Sequence, residues 1–410
     1  MASVFKYFHK FDRRLWFLAL GWLSSAIGFS LVFPFLAIYF HSELGISMTK
    51  IGLFITIAAS TRAVFQAFGG ELSDRIGRYH QIVWAQLIRT IIFFALAYSV
   101  YNDWSFYGIG VLIILNSIFG ALFQPAANAA VVDIVEKEQR NEAYSIIRIS
   151  ANLGWAIGPA VGGFLAARSY DILFVFAGCT TLLSSSIIAV FLRGIKRQSR
   201  SGEPSKSQLK LSFNFREPIF KHAVLILILY LVISQLITPL SLYVVDFKGI
   251  SKSQLGFLFT INGLMVVLLQ FPITRMLRSL RLTIQLVLGS IIYAVGYLFL
   301  GMVSTFSLFI VAMIIITTAE NFVSPPALSI TANLAPSGKT GRYMGIYGFA
   351  MAAGSSLGPV VGGTLLDIAK PDFIYSWGAI SLLAIIAAVG FGWFTRQIPS
   401  ELNLYKGSNT

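Results

Sequence analysis

The chain has 410 residues, of which 56% are hydrophobic and 12% charged, and its formal net charge is +14. A soluble domain carries about 25% charged residues, so the composition excludes a soluble globular protein and points to a polytopic membrane protein. A single cysteine, Cys179, excludes an internal disulfide and argues against a thiolate metal site.

Residues 1–14 carry Lys6, Lys10, Arg13 and Arg14, and an apolar run follows over 15–40. That run is too long for a signal-peptide core, and no convincing cleavage site follows it. It reads as a first transmembrane helix with its N-terminus in the cytoplasm. About twenty apolar residues cross a bilayer. By that measure the next spans are 51–70, 81–100, 106–132, 143–167 and 172–192, then 219–245, 254–274, 283–302, 306–332, 343–366 and 373–394. Between the two sets lies 193–218, with Arg193, Lys196, Arg197, Arg200, Lys206, Lys210 and Arg216 among Ser, Gly and Pro. It has little to bury and reads as a basic cytoplasmic linker. The expected fold is all-α, with twelve transmembrane helices in two six-helix bundles, 1–192 and 219–395, and a tail over 396–410.

The basic residues fix the expected orientation. With the N-terminus inside, the external loops hold only Lys50, Arg168, Lys248, Lys252 and Lys370, and three cations lie within spans, Arg62, Arg89 and Arg148. The remainder of the 31 Lys and Arg fall on the cytoplasmic side, as the positive-inside rule requires. Both termini are then cytoplasmic. The same distribution accounts for the basic charge without a nucleic-acid partner.

The halves are internal repeats. Gly154, Gly158, Pro159, Gly162 and Gly163 spell Gly-x-x-x-Gly-Pro-x-x-Gly-Gly in the fifth span, and Gly354, Gly358, Pro359, Gly362 and Gly363 spell it again in the eleventh. Glycines four apart lie on one helical face and let a second backbone approach closely. Each proline removes one backbone donor. Gly45-Ile46-Ser47 recurs as Gly249-Ile250-Ser251, Gly52 and Gln66 as Gly256 and Gln270, and Pro125 as Pro325. Parallel repeats of this kind place a substrate site between the bundles near mid-membrane. Pro34 and Pro239, late in the first and seventh spans, are either hinges or static kinks.

Between the second and third spans stands Gly70-Glu71-Leu72-Ser73-Asp74-Arg75-Ile76-Gly77-Arg78. Gly77 supplies the backbone freedom of a tight turn, and Asp74, Arg75 and Arg78 place charges at the membrane surface. This loop resembles the signature G-x-L-x-D-R-x-G-R of the major facilitator superfamily. The glycine-proline stretch of the fifth span resembles the signature of its twelve-helix drug:proton antiporter branch. Gln124-Pro125, Asp133, Arg140, Asn152-Leu153-Gly154, Glu320-Asn321 through Pro325, Ala335-Pro336 and the run from Gly341 to Gly345 are similar too. The resemblance covers the chain apart from linker and tail. It implies a gating charge lock of Gly70, Asp74, Arg75, Gly77 and Arg78 with Asp133 and Arg140, latching an outward-open state. In the second half the corresponding positions are Arg278, Arg281 and Leu282, so the second lock has degenerated. The fourth span also departs from the pattern: many antiporters carry an Arg there, and this chain has Asn116, Gly120 and Gln124.

Charge inside a membrane is costly, and ionisable residues there are functional candidates by default. Glu320 lies about 21 Å into the tenth span, which the resemblance places beside the cavity. It is the leading proton or substrate group, with a buried structural carboxyl as the other reading; Arg62 and Arg148 are likewise either functional or structural cations. Arg62 and Arg89 lie near mid-membrane and Arg148 nearer the cytoplasm. Arg89, in a span that the family keeps peripheral, reads as a structural cation. Asn116, Asn152, Gln235, Asn321 and the aromatic Phe33 complete the substrate candidates, and Phe29 and Trp155 extend a possible apolar pocket.

The expected function is secondary active transport: proton-coupled efflux of small hydrophobic or amphipathic compounds across the plasma membrane, by a monomer, with the proton gradient as energy source and no cofactor or metal. The alternative is an organic-anion or metabolite transporter, favoured by three buried Args against one Glu. A membrane-embedded enzyme needs a catalytic cluster at one depth. His9, His41, His80 and His222 instead lie at helix ends or in loops, and no Walker A stretch or nucleophile–base pair is present. A transport-dead receptor is opposed by the intact charge lock.

Overall fold

The computed structural model describes residues 11–136, 139–194, 217–336 and 340–404. Most of the linker, 195–216, and the last tail residues, 405–410, lie outside the described residues. Hydrocarbon offers no partner to a backbone N–H or C=O, so apolar runs of this length must satisfy themselves as helices. Twelve helices are long and apolar enough to span. They are α1 Arg13–Glu43, α2 Met48–Ile76, α3 Arg78–Tyr101, α4 Phe106–Ile134, α5 Arg140–Arg168, α6 Tyr170–Phe191, α7 Pro218–Phe247, α8 Lys252–Met276, α9 Leu282–Met302, α10 Phe306–Leu334, α11 Thr340–Ile368 and α12 Ile374–Thr395. Several extend past the apolar runs, notably α2 to Ile76 and α5 back to Arg140, because helical hydrogen bonding continues after the sequence turns polar.

The chain divides into two compact units, Met1–Leu36 with Ala58–Leu211, and Ala37–Ile57 with Ser212–Thr410. The far end of α1 and the first turns of α2 therefore group with the second unit.

In the first unit the glycine stripe of α5 lies on α1. A Cβ on Gly154 would overlap the Ala26 side chain, and one on Gly158 would strike Ser30 Oγ and come within 3.0 Å of the Ile27 carbonyl oxygen. A Cβ on Gly162 would meet the Leu31 carbonyl. In the second unit the stripe of α11 lies on α7, with Gly354 against Leu227 and Tyr230, Gly358 against Ser234, and Gly362 against Gln235 and Pro239. Ser30 and Ser234, 204 positions apart, occupy the same place opposite the central glycine. Ser30 Oγ donates to the Gly154 carbonyl at 2.9 Å, and Gln235 Nε2 donates to the Gly358 carbonyl at 3.0 Å. Pro159 and Gly163, and their mates Pro359 and Gly363, are buried in the same helices.

The repeat extends to backbone detail. α1 and α7 both end in π-helical turns, Tyr39–Glu43 and Tyr243–Phe247. Gly45 and Gly249 follow with φ of 65° and 66°, the left-handed region that favours glycine. The next N–H groups, of Ile46 and Ile250, return to the carbonyls of Phe40 and Val244. The two proline helices differ. α1 runs through Pro34 without a break, whereas α7 breaks before Pro239 into a 3-10 turn, Ser234–Leu236. Ser234 Oγ and Gln235 Nε2 satisfy the Leu231 carbonyl there, at 2.9 and 2.8 Å.

These contacts make the stripes sensitive to bulk. Gly158→Leu and Gly358→Leu are each expected to cost about 3 kcal/mol or more through overpacking, measured as a lower melting temperature in detergent. Gly70→Ala, where an added Cβ meets no atom within 4 Å, is expected to leave the melting temperature unchanged.

Candidate functional site

The signature loop is built by a helix break. Gly77, with φ of 88°, separates α2 from α3 and makes Arg78 the first residue of α3. Arg78 forms an ion pair with Asp133 at the end of α4 and donates to the Ala129 carbonyl at 2.8 Å. Asp74 stands 3.8 Å from the same guanidinium. Its side chain is 47% exposed, whereas that of Asp133 is 2% exposed, so Asp133 is the dominant partner. Arg75 pairs with Glu71 at 2.5 Å, but both are well exposed, and such a surface pair is worth little. Arg140 opens α5, and Tyr144 one turn later donates to the Asn128 carbonyl of α4 at 3.1 Å.

A residue absent from the sequence reading completes this end. Gln81 is buried and its amide donates to the carbonyls of Gly69 and Leu122, at 2.8 and 2.9 Å, tying α3 to α2 and α4. Its mate 204 positions on, Gln285, does the same to the Leu277 and Leu280 carbonyls at 3.0 Å each. The identical spacing was the available signal.

In the second unit, Arg278, Arg281 and Leu282 stand where the charge lock would be, and amide hydrogen bonds help to fasten that end. Asn333, 200 positions after Asp133, donates to the Leu402 and Leu404 carbonyls at 3.0 and 2.9 Å. Asn403 accepts from the Thr283 N–H at 2.9 Å and donates to its hydroxyl at 2.8 Å. The first part of the tail thus forms a strap, with a 3-10 turn over Ser400–Asn403.

Deeper in the first unit, the two mid-membrane arginines differ. Arg89 is 4% exposed and donates to Asn116 Oδ1, Gln86 Oε1 and Ser25 Oγ, at 2.9, 2.9 and 3.1 Å. Arg62 is half-buried, lies 5.1 Å over the ring of Phe29, and makes no hydrogen bond or ion pair among the described residues. Phe29 stacks on Phe33 at 5.2 Å, and Trp155 sets its edge against both, at 5.8 and 6.5 Å. Arg62 and Phe33 are therefore brought into one cluster and Arg89 and Asn116 into another. Arg148 is exposed and Asn152 half-buried, and neither joins these clusters.

In the second unit, Glu320 on α10 accepts from Asn262 Nδ2 of α8 at 3.0 Å, and the same amide donates to Thr317 at 3.0 Å. Glu320 has no ion pair among the described residues. Elsewhere in the unit the Tyr230 and Tyr347 hydroxyls meet at 3.3 Å. Asn321 is buried, with neither amide atom partnered among the described residues, and Gln235 Oε1 is likewise unpartnered.

At the opposite end of the same unit, the start of α2 is clasped to α11. Thr49 donates through both N–H and hydroxyl to Asp367 Oδ2, each at 2.7 Å, and Thr56 donates to the Ser356 carbonyl at 2.5 Å. Gly52 lies against the Pro359 backbone and Gly363 against the Met48 carbonyl. Ser42 donates to Asp246 at 2.7 Å, and Lys252 lies 3.8 Å from Glu43.

Residues 18–251 and 223–407 match the Major Facilitator Superfamily. The chain belongs to that superfamily. Its relatives include YttB of Bacillus subtilis (strain 168), an uncharacterized MFS-type transporter. It is 31% identical over 365 residues, covering 87% of this chain and 89% of that one. The multidrug resistance protein MdtH of Yersinia enterocolitica is 26% identical over 400 residues, covering 96% and 97%. Among solved structures, a bacterial homolog of the human lysosomal transporter Spinster superposes with a TM-score of 0.74 at 14% identity, covering 96% of this chain and 98% of that one. The peptide transporter POT superposes with a TM-score of 0.77 at 14% identity, covering 96% of each. The expected superfamily and twelve-helix fold are thus borne out, and the chain is a multi-pass transporter of the cell membrane.

The difference in burial between Asp133 and Asp74 ranks the lock. Removing one partner of a buried pair costs about 3–5 kcal/mol. Asp133→Asn is therefore expected to lower the melting temperature of this state clearly, and Asp74→Asn to lower it by much less. Equal losses in thermal unfolding of the two variants would contradict that ranking.

Proposed function

We propose that this superfamily member exports small hydrophobic or amphipathic compounds in exchange for protons, by alternating access and as a monomer. The observation that carries the reading is Glu320. It is a carboxyl well inside a span, held by the neutral amide of Asn262, with no cation paired to it among the described residues. Protonation removes a charge that is costly at this depth, so such a group can load a proton when the site opens to one side and release it to the other. A carboxylate locked to an arginine would lose that freedom.

Other features support the reading. MdtH is a multidrug resistance protein by name. By the positive-inside rule, the basic loops favour a cytoplasmic Arg78 end. On that orientation, the clasp of Thr49 and Asp367 is external. The Arg78–Asp133 lock is then cytoplasmic; both fastenings are formed in this state, and alternating access loosens one end at a time. An organic-anion transporter of the same fold is the second reading, favoured by the unpartnered Arg62.

Glu320→Gln keeps the shape and the hydrogen bond to Asn262 but cannot titrate. In proteoliposomes with an imposed pH gradient, the variant is expected to lose gradient-driven flux of a lipophilic dye, while binding of the dye stays within about twofold. Gradient-driven flux at the wild-type rate would remove Glu320 as the coupling group.

A further inference from the structure

The neutral and charged groups inside the first unit do not balance. Arg89 has three neutral acceptors. Arg62 has a ring beneath its face and no acceptor among the described residues at its edges. A guanidinium carries five N–H donors and stays protonated in proteins. Left unpaired at mid-membrane, it costs several kcal/mol. Arg62 lies inside the apolar run 51–70 of α2, about 16 Å from one end of that run and about 12 Å from the other at 1.5 Å per residue. A lipid phosphate lies outside the hydrocarbon core, so a headgroup is not its neighbour at this depth. Among the described residues of this unit, the acids, including Asp74, Asp133 and Asp171, lie at or near helix ends.

We infer that Arg62, with Phe29, Phe33 and Trp155, forms an anion subsite that takes the carboxylate of a small aromatic acid. Stacking on Phe29 uses the face of the guanidinium and leaves its edge for a bidentate carboxylate. The three rings are half-buried and lie within 6.5 Å of one another, centroid to centroid, so they offer an apolar wall to the aromatic body. The subsite deepens the exporter reading, on which its role in transport rests, by naming the charge of the cargo: an aromatic anion, or a zwitterion bearing a carboxylate.

The test is equilibrium dialysis of the purified full chain in nanodiscs, with no pH gradient, against three probes of matched shape: 1-naphthoate, 1-naphthamide and 1-naphthylmethylammonium. A charge-assisted hydrogen bond contributes about 1.5–3 kcal/mol, so naphthoate is expected to bind about tenfold or more tighter than either of the others. Arg62→Met should erase that preference. Arg62→Lys, which keeps the charge but loses the fork, should retain part of it. Trp155→Leu should weaken naphthoate and naphthamide alike, and serves with Arg62→Lys if Arg62→Met fails to fold. Equal binding of naphthoate and naphthamide to the native protein would overturn the subsite, as would a preference that survives Arg62→Met. The two readings fail separately. Selective naphthoate binding without pH-driven flux contradicts proton coupling and leaves the subsite standing; flux without selectivity does the reverse.

Discussion

Inside hydrocarbon a polar group has only other protein groups, or what enters from water, to bond with. That constraint places most of the interior polar side chains of this transporter. Ser30 and Gln235 bind backbone carbonyls across the two glycine-lined contacts. Gln81 and Gln285 bind carbonyls where helices turn. Arg89 is held by Asn116, Gln86 and Ser25. Each of these groups is spent on holding helices together. Arg62 and Glu320 differ as charged groups that make no ion pair among the described residues, and the proposed transport chemistry rests on them.

The duplication shows how one architecture diverges under that rule. The glycine stripes, the π turns and the left-handed glycines are retained in both halves of the sequence because backbone approach and chain reversal allow few substitutes. The fastening at the basic end is not. Where the first unit uses Arg78 and Asp133, the second uses Asn333, Asn403 and Thr283 around the strap that follows α12. A buried ion pair is costly to break once formed and costly to form from water, whereas amide hydrogen bonds to backbone are cheaper on both counts. The first unit thus places a buried ion pair where the second places amide hydrogen bonds.

Much of this was legible in the sequence. Twelve apolar runs, the six-plus-six spacing and the Gly-x-x-x-Gly-Pro-x-x-Gly-Gly pair identify the fold because membrane helices leave strong one-dimensional signals. The loop from Gly70 to Arg78 was equally plain. Which acid dominates the lock was not, since Asp74 and Asp133 differ in burial and not in residue type. Nor could spacing separate Arg62 from Arg89: both lie at similar depth, and only the neighbours supplied by other helices distinguish them. Gln81 escaped notice because a lone glutamine carries no pattern until its mate is aligned. The break in α7 is local too, arising where Gln235 turns its amide onto a backbone carbonyl ahead of Pro239.

The central claim, that partnered interior groups hold the fold while unpartnered ones serve transport, is tested most directly by comparing two charge removals at similar depth. Thermal unfolding of Arg89→Met and Arg62→Met would be measured in the same detergent. Arg89→Met strands the acceptors of Asn116, Gln86 and Ser25 and is expected to unfold at a clearly lower temperature than the native protein. Arg62→Met removes an unpaired charge and is expected to unfold at the native temperature or above it. A reversed order, with Arg62→Met the less stable variant, would contradict the account.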